Sequence, residues 1–177
     1  KEGKKYDAIA VSPLFSPDNL RVAYMATSGG KLFVVIDGKE GKKFDDLYQG
    51  RTGRSSLVFS PDSKRVAYTL TSGRIPTLSD RHDRPHVEVY GHKQFVVVDN
   101  QEGKAYDNIQ LGPVFPFFPF GSIFSPDSKH TAYSVRAGDK EFMVVDGKAG
   151  KAYDEISVLP ERAFRPDSQY HVYAARS

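Results

Sequence analysis

The sequence contains no cysteine among its 177 residues. This absence excludes disulfide bonds, thiolate metal sites and cysteine nucleophiles. No apolar run approaches the ~18 residues that a membrane-spanning helix needs, so no transmembrane helix is expected. Three motifs of catalysis are also missing: the Gly-x-Ser-x-Gly elbow, the Gly-x-x-x-x-Gly-Lys phosphate loop and His-Glu-x-x-His. Together these absences predict a protein without enzymatic activity of its own and without a cofactor.

Charge of either sign is not in marked excess, since 25 basic residues face 22 acidic ones and the formal net charge is +3. A nucleic-acid-binding protein usually presents a basic stripe on one face, whereas the lysines here recur at predicted turns. We therefore expect no nucleic-acid partner. The hydrophobic share of 39% is sufficient for a substantial core, and we interpret residues 1–177 as a single domain or a portion of one.

A ten-residue pattern recurs four times along the chain. Its copies are FSPDNLRVAY from Phe15, FSPDSKRVAY from Phe59, FSPDSKHTAY from Phe124 and FRPDSQYHVY from Phe164. Proline presets the backbone for the second position of a turn, and serine and aspartate suit the first and third positions. The copies therefore predict hairpin turns at residues 16–19, 60–63, 125–128 and 165–168. We interpret the four aspartates as turn residues and not as a ring of functional carboxylates: Asp18, Asp62, Asp127 and Asp167.

Two further patterns recur between these turns. One is an apolar run closed by an acid, with the copies FVVIDG from Phe33, FVVVDN from Phe95 and FMVVDG from Phe142. The other ends in an aromatic-aspartate pair, with the copies GKKYD from Gly3, GKKFD from Gly41, and GKAYD from Gly103 and Gly150. Unalternated β-branched runs are typical of strands covered on both faces. The acids that close these runs, Asp37, Asp99 and Asp146, begin tight turns and are interpreted as structural.

These patterns predict four short strands in each repeat, and no segment has a helical period. We name the strands A (before the Ser-Pro-Asp turn), B (after it), C (the apolar run) and D (the aromatic-aspartate segment). Four antiparallel strands that repeat every ~40–47 residues are the signature of a propeller. The expected fold class is all-β: a β-propeller of four-stranded antiparallel blades, with four repeat units in this chain.

The pattern FSPDSKRVAY resembles the WD-like propeller repeat, whose consensus is Phe-Ser-Pro-Asp-Gly-Lys followed by a hydrophobic strand. That repeat occurs in Tol-type periplasmic propellers and in the propeller domains of prolyl-oligopeptidase-like peptidases. The resemblance covers nearly the whole chain and implies a propeller fold. It implies no single function, because the repeat is a scaffold in many unrelated proteins. It further implies a bacterial or archaeal source and a periplasmic or secreted location.

The predicted strand order is incomplete at both ends. The chain starts on a D strand at residues 4–9 and stops before the C strand of the fourth repeat. We expect further sequence after Ser177, or more blades, or a second chain that supplies the missing strand. The first residue is Lys1 and not methionine, which indicates processing, truncation or a partial sequence. An exposed strand edge pairs readily with other molecules, so self-association through the incomplete blade is also expected.

The second repeat contains an insertion. The interval from the turn aspartate to the strand-C aspartate is 19 residues in the first repeat, from Asp18 to Asp37, but 37 in the second, from Asp62 to Asp99. The 18 added residues fall between strands B and C, at roughly 73–91, where the sequence is GRIPTLSDRHDRPHVEVYG. This segment is polar and rich in arginine and histidine, which predicts a loop or a small β-excursion.

A second irregular segment lies between strands D and A of the next repeat, where residues 113–121 are PVFPFFPFG. In a four-stranded blade the B–C and D–A connections share one face, so we expect both segments opposite the Ser-Pro-Asp turns. Exposed aromatic side chains on variable loops are typical of contact sites; the alternative is packing of the phenylalanines over the channel mouth or a neighbouring blade. The candidate binding residues are Phe115, Phe117, Phe118, Phe120, Arg74, Arg81, Arg84, Arg51 and Arg54.

Three side chains of the insertion have the chemistry of metal ligands: His82, Asp83 and His86. Imidazole and carboxylate groups suit zinc or a similar ion. No helix is predicted that would bring the two histidines to one side, so a solvated loop is the favoured interpretation and no metal is expected.

The sequence thus predicts a non-catalytic β-propeller that binds a protein, a peptide or a glycan on its loop-bearing face. The aromatic segment would supply apolar contact, and the arginines would orient acidic or polar groups. The alternative is the propeller domain of a larger peptidase-like hydrolase whose catalytic domain is not in this chain. A third interpretation, a metal-dependent enzyme centred on the insertion, depends on the histidines named above.

Overall fold

The computed structural model describes residues 4–45, 57–72, 93–110, 123–157, 164–168 and 174–176. All regular structure in these ranges is β-structure, in fifteen strands and without a helix. It follows that these ranges hold no helix with the length and apolar character needed to cross a membrane. The all-β class expected from the sequence is confirmed.

The strands form four antiparallel sheets, which we call units 1 to 4 in chain order. Unit 1 contains β1 (Ala8–Phe15), β2 (Val22–Ser28), β3 (Lys31–Ile36), β4 (Lys39–Glu40) and β5 (Phe44–Asp45). Unit 2 contains β6 (Leu57–Phe59), β7 (Val66–Ser72), β8 (Lys93–Val98) and β9 (Gln101–Glu102). Unit 3 contains β10 (Asn108–Gln110), β11 (Ala132–Ala137), β12 (Lys140–Val145) and β13 (Lys148–Ala149). Unit 4 contains β14 (Glu155–Ser157) and β15 (Ala174–Arg176).

Each of units 1 to 3 is a meander of neighbouring strands, as the repeated patterns predict. The Ser-Pro-Asp turn joins the first strand to the second, and the apolar run forms the third, β3, β8 or β12. In β3 the four consecutive residues from Leu32 to Val35 are all buried. Burial without alternation means that both faces of this strand are covered. The prediction made for the apolar runs is therefore confirmed in β3.

Consecutive units pack through shared hydrophobic clusters. The buried residues that join them include Met25 with Tyr68 for units 1 and 2, Val96 with Phe124 for units 2 and 3, and Met143 with Ile156 for units 3 and 4. Substantial strand contacts join each unit to the next, and among the described residues none joins unit 4 to unit 1. The described units therefore pack on one another in chain order.

The predicted D strand is present but short and interrupted. In unit 1 it comprises β4 and β5, which both pair with β3. Between them Gly41 donates its N–H to the Val34 carbonyl at 2.8 Å. A Cβ atom on Gly41 would lie 2.9 Å from Asn100 Oδ1 of unit 2, which accounts for glycine at this place in the pattern. In units 2 and 3 the later part of the strand is a single bridge, from Tyr106 to Gln94 and from Tyr153 to Glu141.

The expected bounds of the first D strand are wrong. Residues 4–9 were expected to form an outer strand, but Ala8 and Ile9 belong to β1 and pair with Thr27 and Ala26 of β2. Pairing with β2 begins one residue before β1, where Asp7 donates its N–H to the Thr27 carbonyl at 2.9 Å. The chain therefore joins the next sheet at the aspartate of the aromatic-aspartate pair.

Candidate functional site

The Ser-Pro-Asp turns are held by their own side chains. In the first turn, Asp18 Oδ1 accepts the Ser16 hydroxyl at 2.5 Å and the Leu20 N–H at 3.0 Å. These two bonds, with the hydroxyl the larger effect, lower the pKa of Asp18. The pKa values of Asp62 and Asp127 are lowered by the same pair of bonds in their own turns. The predicted turn role of these aspartates is confirmed.

The turns are also bonded to one another. Asp18 donates its N–H to Ser63 Oγ at 3.1 Å, Asp62 to Ser128 Oγ at 3.0 Å, and Asp127 to Ser168 Oγ at 3.0 Å. We call this series the turn ladder. The accepting serines are buried and adopt the left-handed conformation, with φ of 65° at Ser63 and Ser128. Glycine takes this conformation more easily, and serine here adds an acceptor for the preceding unit.

Two of the contacts in the turn ladder are each strengthened by an arginine, Arg21 between units 1 and 2 and Arg65 between units 2 and 3. Arg65 Nη1 donates to the Ser128 and Lys129 carbonyls at 3.1 and 3.0 Å, and its guanidinium lies 5.1 Å from the Phe124 ring centre. Its Nε donates to Asp99 Oδ2 at 2.8 Å within unit 2. Arg21 makes the equivalent contacts from unit 1 to unit 2. Unit 3 has His130 at this place, where Nδ1 is 2.8 Å from Asp146 Oδ2.

The acids that close the apolar runs have the predicted structural role. Asp37 and Gly38 have φ of 51° and 78°, as a type I′ hairpin turn requires. Partial burial opposes the charge of Asp37, but bonds from the Arg21 side chain and the Val22 N–H outweigh it and lower the pKa. Asp99 accepts the Arg65 side chain and the Val66 N–H in the same way.

The aromatic-aspartate pairs connect neighbouring units. Tyr106 exchanges backbone bonds with Gln94 of unit 2, whereas Asp107 donates its N–H to the Arg136 carbonyl of unit 3 at 3.0 Å. The Asp107 carboxylate then accepts the Gly138 N–H at 2.7 Å and pairs with Lys93. The ring of Tyr106 packs edge-on against Phe142. These pairs therefore pack against the neighbouring unit and anchor the chain between two sheets.

The insertion emerges at the end of unit 2 remote from the turn ladder. Its flanking residues, Ser72 and Lys93, are paired in register, as Ser28 and Lys31 are in unit 1. In unit 1 only Gly29 and Gly30 separate the paired residues. The insertion thus replaces a two-residue hairpin turn and leaves the register of its strands unchanged.

The phenylalanine segment starts from a different place than expected. Residues 108–110 already pair with β11, where Gln110 lies opposite Ser134, and Phe124 bridges Thr131. The segment between them therefore interrupts strand A of unit 3 midway, and its anchors are not at the loop end of the sheet. β1 is irregular at the equivalent place, between Val11 and Leu14. The expectation of a D–A connection was wrong because Asn-Ile-Gln lacks a strand pattern.

The candidate site residues themselves lie outside the described residues. They are Arg51, Arg54, Arg74, Arg81, Arg84, Phe115, Phe117, Phe118 and Phe120, together with His82, Asp83 and His86. Their roles stay predictions. Within the ranges that the structure describes, no three histidine, aspartate or glutamate side chains come together as a metal site.

One charged cluster lies outside the recurring patterns of the sequence. Glu141 is buried, pairs with Arg136 Nη2 at 2.5 Å and accepts the Ile156 N–H at 2.8 Å. It lines an open polar pocket with Asp154, Glu155 and Arg176. Gln94 holds the same position in unit 2 and accepts the Ile109 N–H at 2.7 Å. Both side chains accept a backbone N–H from the following unit, so we assign Glu141 a structural role. The sequence indicates the equivalence, because Gln94 and Glu141 occupy the same position in the repeat.

Comparison with known proteins gives limited similarity. No protein-family model and no curated protein matches the chain. Among solved structures, the chain is similar to the Kuenenia stuttgartiensis hydrazine synthase, at 13% identity and a TM-score of 0.34 over 75% of this chain and 38% of that one. It is also similar to prolyl oligopeptidase B from Galerina marginata, at 14% identity and a TM-score of 0.36 over 94% of this chain and 23% of that one. The chain thus spans well under half the length of either protein.

Proposed function

We propose that this chain is a β-propeller module, or a part of one, that binds a protein, peptide or glycan ligand without catalysing a reaction. The observation that supports the proposal is the register of the strands beside the insertion. Ser72 and Lys93 pair as if a two-residue turn joined them, although 20 residues lie between them. A scaffold that holds so long a segment without distortion is the usual arrangement of binding loops.

The opposite end of each unit is a poor candidate for the ligand site. The turn aspartates and serines are hydrogen-bonded within their turns and to the next turn. The arginines of units 1 and 2 are bonded to backbone carbonyls of the following unit. A ligand at this end would compete with bonds that hold the units together.

The two irregular segments have the side chains that recognition requires. Arg74, Arg81 and Arg84 are donors suited to carboxylate, phosphate or sugar hydroxyl groups. The four phenylalanines of 113–121 offer apolar and aromatic surface, and aromatic residues with arginine dominate the energetics of many interfaces. We infer that the insertion sets polar specificity and that the aromatic segment supplies apolar contact.

The chain contains the sequence needed for a clean test of the insertion. Replacing residues 73–92 by Gly-Gly copies the native turn at Gly29 and Gly30 between strands of the same register. The wild type and this variant are screened against a glycan microarray and a displayed library of random peptides. The matched control is Asp139→Gly, which gives the unit 3 hairpin the same Gly-Gly turn and leaves the insertion in place.

Ligands that bind the wild type and the unit 3 control, but not the folded insertion variant, support the proposal. Circular dichroism and the thermal midpoint establish that each variant is folded. Ligands that bind all three proteins equally would move the site away from the insertion. A second graft replaces residues 111–122 by Ser-Pro, the residues of the equivalent irregularity in β1, and tests the aromatic segment separately.

A further inference from the structure

Unit 3 has an arginine and a buried glutamate where unit 2 has two neutral residues. Arg136 lies opposite Glu141 in the register of β11 and β12. Thr71 lies opposite Gln94 at the same place in unit 2. Gln94 accepts the Ile109 N–H of the next unit at 2.7 Å, and Glu141 accepts the equivalent N–H of unit 4 at 2.8 Å. A neutral amide therefore satisfies the backbone, and the joint between units does not require a charged pair.

The charge of Glu141 has a further effect, because it fixes the arginine. Glu141 Oε1 accepts Nε of Arg136 at 3.1 Å and Nη2 at 2.5 Å. The guanidinium has five N–H donors, of which these bonds use two. The Arg136 side chain is 51% exposed, whereas the Glu141 side chain is 5% exposed. A buried carboxylate thus holds an accessible guanidinium in a fixed orientation.

The guanidinium of Arg136 lines an open pocket between units 3 and 4, which we call the 3–4 pocket. Its volume of about 390 Å³ lies in the range of pockets that hold small ligands. Asp154, Glu155 and Arg176 supply further charged lining. The apolar lining residue, Ile156, is itself only 5% exposed. An apolar ligand therefore finds little surface here, whereas a hydrogen-bonding ligand finds both donors and acceptors.

The charges around the 3–4 pocket balance one another. Three ion pairs surround it: Arg136 with Glu141, Arg176 with Glu155, and Lys140 with Asp154. A charged ligand would have to compete with a side chain of its own sign for the opposite charge. An uncharged group that both donates and accepts hydrogen bonds can bind beside the pairs without breaking them. The lining therefore favours an uncharged ligand that is rich in hydroxyl groups.

The 3–4 pocket lies at the same end of the units as the insertion. Arg136 and Glu141 flank the unit 3 hairpin, which is the equivalent of the turn that the insertion replaces in unit 2. Asp107 connects the two places, because its carboxylate pairs with Lys93 and accepts the Gly138 N–H at 2.7 Å. A ligand in the pocket would thus lie one unit away from the base of the insertion.

We propose that the 3–4 pocket binds a sugar unit of a neutral glycan. Adjacent hydroxyl groups of a sugar match the fork of a guanidinium and the two oxygens of a carboxylate, since each hydroxyl both donates and accepts. Arg136 and Arg176 donate to the hydroxyl groups, and Asp154 and Glu155 accept from them. A peptide would bring apolar side chains, for which this lining has little surface. The choice rests on the proposed function, since it selects the glycan among the ligand classes named there.

The test is a screen of the wild type on an array of neutral, acidic and sulfated oligosaccharides, followed by calorimetric titration with the neutral glycan that binds best. Neutral glycans are expected to bind, with an affinity that changes less than about twofold between about 0.05 and 0.5 M NaCl, because the pocket and ligand carry no net charge. The double variant Arg136→Thr/Glu141→Gln copies the neutral pair of unit 2 and is expected to bind about tenfold more weakly, or worse. The matched control is Lys129→Thr, which removes an exposed cation from the turn end of the same unit and is expected to bind as the wild type does.

Glu141→Gln separates a positioning role from a purely structural one. Glutamine still accepts the Ile156 N–H, as Gln94 does for Ile109, but it no longer holds Arg136 by charge. The folded variant is therefore expected to bind the neutral glycan several-fold more weakly. A glutamate that served the fold alone would lower the thermal midpoint and leave the affinity of the folded protein unchanged. If the variants at residue 141 do not fold, Arg176→Ser and Glu155→Gln decide the matter, because both change exposed side chains of the pocket.

Three results overturn the proposal. One is neutral glycans binding equally well to the wild type and to the folded pocket variants. Another is binding restricted to acidic or sulfated glycans, with an affinity that falls steeply as salt is added. The third is a wild type that binds no glycan on the array.

The proposed function fails in a different way. Glycans that bind the insertion variant as well as the wild type, but not the pocket variants, would keep the 3–4 pocket and remove the insertion as a ligand site. Peptides that bind through the insertion, with no glycan bound, would keep the proposed function and overturn the sugar pocket.

Discussion

Ser128 offers a direct way to measure how strongly two units are joined. Its hydroxyl is buried in the turn of unit 3 and accepts the Asp62 N–H of unit 2 at 3.0 Å. Ser128→Ala removes the acceptor, and the loss of one such hydrogen bond costs about 0.5–1.5 kcal/mol. For a chain of this size each kcal/mol shifts the thermal midpoint by roughly 2–4 °C. We therefore expect Ser128→Ala to lower the midpoint by several degrees.

Ser128→Gly separates the hydrogen bond from the backbone strain. Both variants lose the hydroxyl, but glycine adopts φ of 65° without the steric cost that alanine retains. Ser128→Gly is therefore expected to be about 1 kcal/mol more stable than Ser128→Ala and still less stable than the wild type. The assay is equilibrium unfolding in urea, with the thermal midpoint as a second readout.

A control at the first turn completes the comparison. Asn19 has the same left-handed conformation, and within the described ranges its side chain accepts no N–H from another turn. At low protein concentration Asn19→Ala is expected to change the free energy of unfolding by less than about 0.5 kcal/mol. The reasoning is refuted if Ser128→Ala is as stable as the wild type, or if Ser128→Gly is less stable than Ser128→Ala.

Four further predictions concern the same framework. Arg65→Lys should lower stability by about 1–2 kcal/mol in urea unfolding, because lysine cannot reproduce the two carbonyl bonds and the stacked geometry; unchanged stability would contradict this. Burial raises the pKa of Tyr68 to about 12, and among the described residues its buried hydroxyl has no hydrogen-bond partner. Tyr68→Phe should therefore raise stability by about 1 kcal/mol and with it the thermal midpoint. A lower midpoint would show that the hydroxyl is bonded. The pKa of Asp62 is lowered below the ordinary 3.8, chiefly by the hydrogen bond from the Ser60 hydroxyl. The ionised Asp62 therefore stabilises the folded state fully above pH 3.8, and this stabilisation is lost as the pH falls through the lowered pKa. Asp62→Asn should therefore flatten the acid limb of a plot of midpoint against pH, and an unchanged limb would count against this. His130→Arg should raise the midpoint by supplying the carbonyl contacts that Arg65 makes one unit earlier, and a lower midpoint would mean that the last turn does not accept them.

The parts of the fold that could be predicted from the sequence are those fixed by local chemistry. Proline and aspartate specify the turns wherever they recur, and the run from Leu32 to Val35 is buried on both faces because every residue in it is apolar. The turn role of Asp18 and the hairpin role of Asp37 follow from the same local preferences.

The parts that could not be predicted depend on contacts between units. Nothing in the sequence near Ser63 shows that its hydroxyl accepts a bond from Asp18, 45 residues earlier. The sequence also does not show that the chain passes from unit 2 to unit 3 at Asp107, because Tyr106 pairs with one sheet and Asp107 with the next. The phenylalanine segment was therefore placed at the end of a strand, although it interrupts one. The candidate ligand residues stay predictions.

The central claim is that the recurring turns join neighbouring units through the Asp62 N–H and its equivalents. Amide hydrogen exchange measured by NMR tests this claim most directly. Asp62 has an exposed carboxylate on a surface turn, where unbonded amides exchange rapidly. We predict strong protection of the Asp18, Asp62 and Asp127 amides in the wild type, and loss of protection at Asp62 alone in Ser128→Ala. Rapid exchange of these amides in the folded wild type would contradict the account.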